Sequence, residues 1–250
     1  TNFDRFTWDQ AKNTYWRESS GVDVNKTISG QPAGYWYFAY DDNVGTNGRF
    51  YNLSSGGNRI YYSDDNGDSW TAGGTVTTSL SDLSVAEDGT VFAKTVGNTQ
   101  TIYYSTDNGV TFNAFVAPLS AIWFRPVWNE TGGFWTLSHT TQSGSVYTAT
   151  TIGNTWTPQT FTSSYQNVHP RVVAGKTVVF FRHYTSQDKA VSATTADTWT
   201  ASPYVNYQNY ISNYNNTSYG PTATFIHNGL VKAWVNYQDL PALLFDPVDN

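Results

Sequence analysis

The sequence predicts an all-β chain, a five-bladed β-propeller of four-stranded antiparallel blades. Three observations carry that expectation. One eight-residue spelling occurs twice, as SDDNGDSW at 63–70 and STDNGVTF at 105–112, each preceded by Ile-Tyr-Tyr. Aromatic anchors then recur at a near-constant interval: Trp16, Trp70, Phe112, Trp156 and Trp199 stand 54, 42, 44 and 43 residues apart. Between them the chain parses into short strand-like runs bounded by turn residues, with no convincing helical periodicity. Self-similarity at about 40–50 residues marks an array or propeller.

The repeated spelling reads as a stapled hairpin turn. Asp65 and Asp107 accept hydrogen bonds from nearby backbone N–H groups. Gly67 and Gly109 supply positive φ. Ser63 and Ser105 open the spelling, and Trp70 and Phe112 start the next strand with a buried ring. Degenerate copies follow at 149–156 (ATTIGNTW) and 192–199 (SATTADTW), where threonine replaces the aspartate. A faint fifth copy lies at 9–16.

Each interval parses as four strands. The expected blades run about 34–76, 82–117, 122–161 and 170–205, and a fifth joins 222–250 with 1–20, so that the termini share one blade and hide its edges. Six blades remain open if the connections 17–33 or 204–221 contain further strands. The chain is read as a single domain over 1–250.

The spelling resembles the Asp-box, or BNR repeat, of the sialidase-type β-propellers, across residues 34–205 and more weakly at the ends. Phe124-Arg125-Pro126-Val127 loosely resembles that family's Phe/Tyr-Arg-Ile-Pro signature. The resemblance implies that the boxes join third and fourth strands, and that a ligand binds on the opposite face near the central axis. It also implies an arginine triad on a substrate carboxylate, for which Arg125, Arg171 and Arg182 are the inner-strand candidates. The chain departs from that pattern. Arg125 follows the second box, whereas the family's signature arginine precedes the first. The resemblance also implies a Tyr–Glu nucleophile pair, but glutamate is confined to Glu18, Glu87 and Glu130, none placed to serve in it. Asp82, Asp188 and Asp239 are the acids that fall on the opposite face, and Asp41 and Asp42 read as turn residues.

Composition narrows the function. Charged residues make up 13% of the chain and aromatics 17%, with 18 Tyr and 10 Trp. Such rings suit half-wet binding surfaces as well as strands. Net charge is −6 and no run of Lys or Arg exists, so nucleic acid is not an expected partner. No apolar stretch approaches 18 residues, and membrane insertion is not expected. Cysteine is absent, which excludes disulfides and thiolate metal sites. The four histidines lack ligand spacing, and no metal or other cofactor is expected. The start at Thr1 suggests a processed chain or a fragment. Asn25, Asn52, Asn129 and Asn216 begin Asn-x-Ser/Thr sequons.

On the face opposite the boxes the expected ligand-binding residues are Trp36, Trp123, Arg125, His169, Arg171, His183, Tyr184, Tyr207, Tyr210 and Tyr237. The expected function is non-catalytic recognition, with carbohydrate bound through these aromatic loops. The partner is a glycan or cell-surface receptor, or other subunits of a larger assembly, and the setting is extracellular, at a cell surface or on a virion fibre. A sialidase-like glycoside hydrolase is the alternative, and a purely structural domain the second.

Overall fold

The computed structural model describes residues 6–9, 14–19, 22–26, 36–41, 43–45, 48–54, 56–65, 67–121, 124–139, 146–153, 155–159, 165–173, 175–183, 189–196, 198–202, 223–227, 230–237 and 240–245. Among them every regular element is a strand, and the strands form six antiparallel sheets. Sheet 1 contains β1 (Phe6–Asp9), β2 (Thr14–Ser19) and β3 (Val22–Lys26). Sheet 2 contains β4 (Trp36–Asp41), β5 (Arg49–Ser54), β6 (Arg59–Ser63) and β7 (Thr71–Thr75). Sheet 3 contains β8 (Leu80–Val85), β9 (Val91–Thr95), β10 (Thr99–Ser105) and β11 (Asn113–Ala121). Sheet 4 contains β12 (Phe124–Asn129), β13 (Phe134–His139), β14 (Val146–Ala149) and β15 (Thr157–Gln159). Sheet 5 contains β16 (Tyr165–Val173), β17 (Lys176–His183), β18 (Lys189–Ala193) and β19 (Trp199–Ser202). Sheet 6 contains β20 (Ala223–His227), β21 (Leu230–Tyr237) and β22 (Leu240–Phe245).

Every sheet is a meander whose spatial order follows the sequence. Links of two to seven residues, rich in Gly, Asn and Asp, bring each next strand back antiparallel. The chain divides into two compact units, Thr1–Ser120 and Ala121–Asn250. In the first, β8 packs on β4 and β5; in the second, β16 packs on β12 and β13 in the same way. The seam between sheets 2 and 3 holds the core of the first unit: Tyr51, Leu53 and Ile60 meet Val76, Leu80, Leu83, Val91 and Ala93. Each Val, Leu or Ile among them contributes about 1.5–3 kcal/mol on leaving water. All five residues of β9 are buried, because both of its faces are covered; the alternation of a half-wet strand is lost there.

Among the described residues β1–β3 pair with one another, and β20–β22 with one another. Two expectations are corrected. The stretch 17–33, read as a connection, contains β3, which pairs with β2 from Tyr15↔Lys26 to Ser19↔Val22. A link this short closes a hairpin at little loop entropy. The fourth blade, expected from about 170, begins at Tyr165. Pro170 lies within β16, an edge strand of its sheet, where a proline is tolerated.

Candidate functional site

The two full copies of the repeated spelling form the same hydrogen-bonded turn. Ser63 and Ser105 end their third strands. Their hydroxyls donate to Asp65 Oδ1 and Asp107 Oδ1, at 2.7 Å in both. The same hydroxyls accept from the Gly67 and Gly109 N–H groups, at 2.7 and 2.8 Å. Each aspartate then takes the far side of the turn. Its Oδ1 accepts from the Ser69 or Thr111 N–H at 2.8 Å, and its Oδ2 from the matching hydroxyl at 2.6 Å. Gly67 and Gly109 sit at φ 84° and 82°, the region where a Cβ is penalised.

These donors govern the carboxyls. Against burial, which acts to raise it, the Thr111 and Ser105 donors hold the Asp107 carboxyl down at about 2. Against the same opposition, Ser69 and Ser63 lower that of Asp65. Trp70 and Phe112 each stand one residue before their strand and are half-buried, not the buried strand residues expected. The Trp70 ring meets Phe38 edge-on at 6.2 Å, and Phe112 packs on the seam core.

Beyond closing a hairpin, the turn docks on the preceding sheet. The Gly109 carbonyl accepts from Gly74 N–H of β7 at 2.8 Å. The Asn108 carbonyl accepts from Arg49 Nη1 of β5 at 3.0 Å. Arg49 also grips Asp64 with two parallel bonds, at 2.6 and 2.7 Å, and its guanidinium lies 3.9 Å from the Tyr62 ring centroid. Contact here is backbone-close. A Cβ on Gly74 would stand 2.6 Å from the Phe112 ring, and one on Gly109 would stand 2.9 Å from Tyr51 Cε1. In the second unit the degenerate turn after β18 does the same. A Cβ on Gly132 would meet the Thr194 carbonyl at 2.5 Å, and the Trp199 ring meets Phe134 edge-on at 6.4 Å. Lacking the aspartate, that turn is tied by the Trp199 indole N–H on the Ala196 carbonyl, at 3.0 Å.

The opposite end of each sheet carries the second-to-third turns. Asp82 of β8 faces Lys94 of β9 there, in register and both buried. Asp82 accepts from the Leu83 N–H at 3.0 Å. The Lys94 ammonium donates to the carbonyls of Thr95 and Gly97. Burial pushes that ammonium below its ordinary value, and the Asp82 charge partly offsets the push. Glu87 and Glu130 are exposed in first-to-second turns, at the box end. Among the described residues no group of three His, Cys, Asp or Glu gathers as metal ligands would.

No protein-family model matches the sequence, and no curated protein matches it. Solved structures do. The GH74 enzyme of Niastella koreensis is similar over 95% of this chain, with a TM-score of 0.58 and 19% identity. The hydrazine synthase of Kuenenia stuttgartiensis is similar over 93%, with a TM-score of 0.61 and 10% identity. YCF48 from Cyanidioschyzon merolae is similar over 89%, with a TM-score of 0.57 and 12% identity. All three are propeller proteins. The fold is a β-propeller. The chain spans 35% of the length of the GH74 enzyme and 70% of each of the other two.

Within the propeller sheets the expected ligand residues separate. Trp36 opens β4 opposite Ser54, and Arg125 lies near the start of β12 opposite Ser138. His183 closes β17 opposite Tyr165, and Tyr237 closes β21. All four backbone positions fall at the end away from the box turns. His169 and Arg171, expected on the face opposite the boxes, lie inside β16. Arg171 pairs with Val178, near the hairpin closed by Val173↔Lys176, and so belongs to the box end. Trp123, Tyr184, Tyr207 and Tyr210, and the side chains of the other six, lie outside the described residues. Sequence reading passed over Lys94; its place opposite Asp82 was the available signal.

Proposed function

We propose that this chain is a non-catalytic recognition propeller of the Asp-box type, binding carbohydrate at the end opposite the box turns. The observation that carries this reading is how the box end is used. In both units its turns are engaged in docking one sheet on the next, through Gly109 on β7 and through the 194–199 turn on β13. That leaves recognition to the other end, where the sequence concentrates Trp36, Trp123, His183, Tyr184, Tyr207, Tyr210 and Tyr237. Aromatic rings stack on sugar faces, and Arg125 supplies donors for hydroxyls or carboxylates. The Thr/Ser/Asn/Tyr-rich, weakly charged composition fits a domain of a virion fibre or surface appendage whose partner is a glycan or cell-surface receptor.

A glycan array tests this with the wild type and the Trp123→Ala and Tyr210→Ala variants. Binding to a defined glycan class, lost in the variants while their melting temperatures hold, is the expected result. Silence across the array for the wild type removes the reading. One observation favours a glycoside hydrolase as second reading: Asp82 is a buried acid on a first strand at the same end. Turnover of a fluorogenic sialoside that disappears in Asp82→Asn and Arg125→Ala would promote it.

A further inference from the structure

Sheet 3 ends on its outer side in β11, which is unlike the outer strands of the other four-stranded sheets. It runs nine residues, against five in β7, three in β15 and four in β19. A sheet avoids pairing with another chain by keeping its outer strand short or by charging it. β11 does neither. No ionisable side chain occurs between Asp107 and Arg125. β11 is last in the order of its sheet, so one of its edges has no neighbouring strand among the described residues. The outer strand of sheet 2 differs here too, because the box turn of sheet 3 engages it through Gly74 N–H and the Gly109 carbonyl.

Apolar surface is left in water at the same place. Among the described residues the exposed large apolar side chains are Val96, Val110, Val116 and Leu119, all in sheet 3 or its turns. Val116 and Leu119 belong to β11, and Val110 to the turn that feeds it. Val116 is 68% exposed, between buried Phe115 and Ala117, as alternation along a strand requires. Ala114, on the same face as Val116, is exposed as well. Gln100 Nε2 donates to the Ala117 and Pro118 carbonyls, at 3.2 and 3.3 Å, and ties that half of β11 to β10. Pro118 has no N–H, so the ladder that a new strand could build lies ahead of it, over Asn113–Ala117.

We propose that β11 is a self-association edge, on which Asn113–Ala117 pairs antiparallel with the same segment of a second copy of this chain. Two features select a copy over an unrelated strand. The chain has a net charge of −6, so copies repel, and the uncharged run around β11 lets two of them meet without apposing like charges. A strand paired antiparallel with itself is also self-complementary about a two-fold axis. In that pairing Val116 of each copy stands opposite Ala114 of the other, and both leave water. Main-chain bonds supply the affinity, as in other strand additions. The far end of sheet 3 is occupied, because β8 packs on β4 and β5, so association stops at two. One strand pair is a small interface, and the dimer is therefore weak and forms at high concentration.

The test is sedimentation of the full chain over a concentration series, with hydrogen exchange on the same samples; neither measurement involves a glycan. The average mass of the wild type is expected to rise from that of one chain toward twice that value. Alternate amides of Asn113–Ala117 are expected to exchange several-fold more slowly at the top of the series. Val116→Lys charges an exposed position and is expected to stay monomeric throughout. Val116→Thr keeps the branched shape and serves if Val116→Lys melts early; its association is expected to weaken several-fold. Val96→Lys puts the same charge on an exposed turn residue of the same sheet and is expected to associate as the wild type does. A wild type that stays monomeric overturns the proposal, as does association that survives in Val116→Lys or leaves these amides unchanged. Slow exchange at every concentration means that another segment of the same chain covers the edge, and overturns it equally.

Discussion

At the scale of single residues, the two box aspartates do more than mark turns. A carboxyl held below its unfolded pKa adds stability above that unfolded value and loses it as pH falls toward the folded one. For Asp107 the window runs from about 4, the ordinary aspartate value, down to about 2. Denaturant melts of the wild type and Asp107→Asn across this range are expected to converge as pH falls, with the wild type losing its advantage. Ring anchors are also graded by burial. Phe134 is 1% exposed, and Phe134→Ala is expected to cost about 3–5 kcal/mol. Trp70 is half-buried, and Trp70→Ala is expected to cost roughly half as much on the same scale. Urea titration of both variants orders them, and equal costs would show that position, not burial, sets the price. Sequence alone identified Asp65, Asp107 and both glycines, because a turn is decided by neighbours in the chain. It put Asp41 at the turn that closes a first strand, where β4 ends, but did not foresee its burial. The burial of Asp41 comes from Gly89, 48 residues away, and no local pattern announces such a contact.

At the scale of elements, strands in sheets 2 to 5 were legible to within a few residues, since Gly, Asn and Asp punctuate them. Where reading failed, strand pairing reached beyond the local pattern, as at the start of β16 and with β3. The docking of box turns yields a paired experiment. Gly109 and Gly153 both have positive φ, 82° and 88°. A Cβ at Gly153 would meet nothing within 4 Å, whereas one at Gly109 meets Tyr51 at 2.9 Å. Gly153→Ala is therefore expected to cost only the backbone term, about 1–2 kcal/mol. Gly109→Ala should cost that plus an overpacking term of about 1–3 kcal/mol. Chemical denaturation distinguishes the cases, and indistinguishable costs would mean that the turn does not lean on β5.

At the scale of the whole molecule, the fold class was legible because repetition is global and needs no contact map. The candidate ligand surface was legible only as composition: aromatic residues cluster in the sequence, but which rings share a surface depends on loop paths that no periodicity encodes. Burial also decides a question the sequence left open. Asn52 and Asn129 are fully buried, and Asn129 has both amide N–H groups engaged. In a glycosylating host, peptide mass spectrometry of the folded protein is expected to find both asparagines unmodified; an occupied Asn129 would contradict the second seam.

The docking of turns onto the sheet before them has a direction. Within each unit the earlier sheet offers a socket and the later one a plug, and the two are different surfaces. An array assembled this way has a head and a tail, so a duplicated sheet spliced behind an existing one would arrive with a compatible plug and present a fresh socket. Growth by copying in one direction needs no new contact, and drift of the aspartate to threonine in later copies is tolerated as long as the plug still fits.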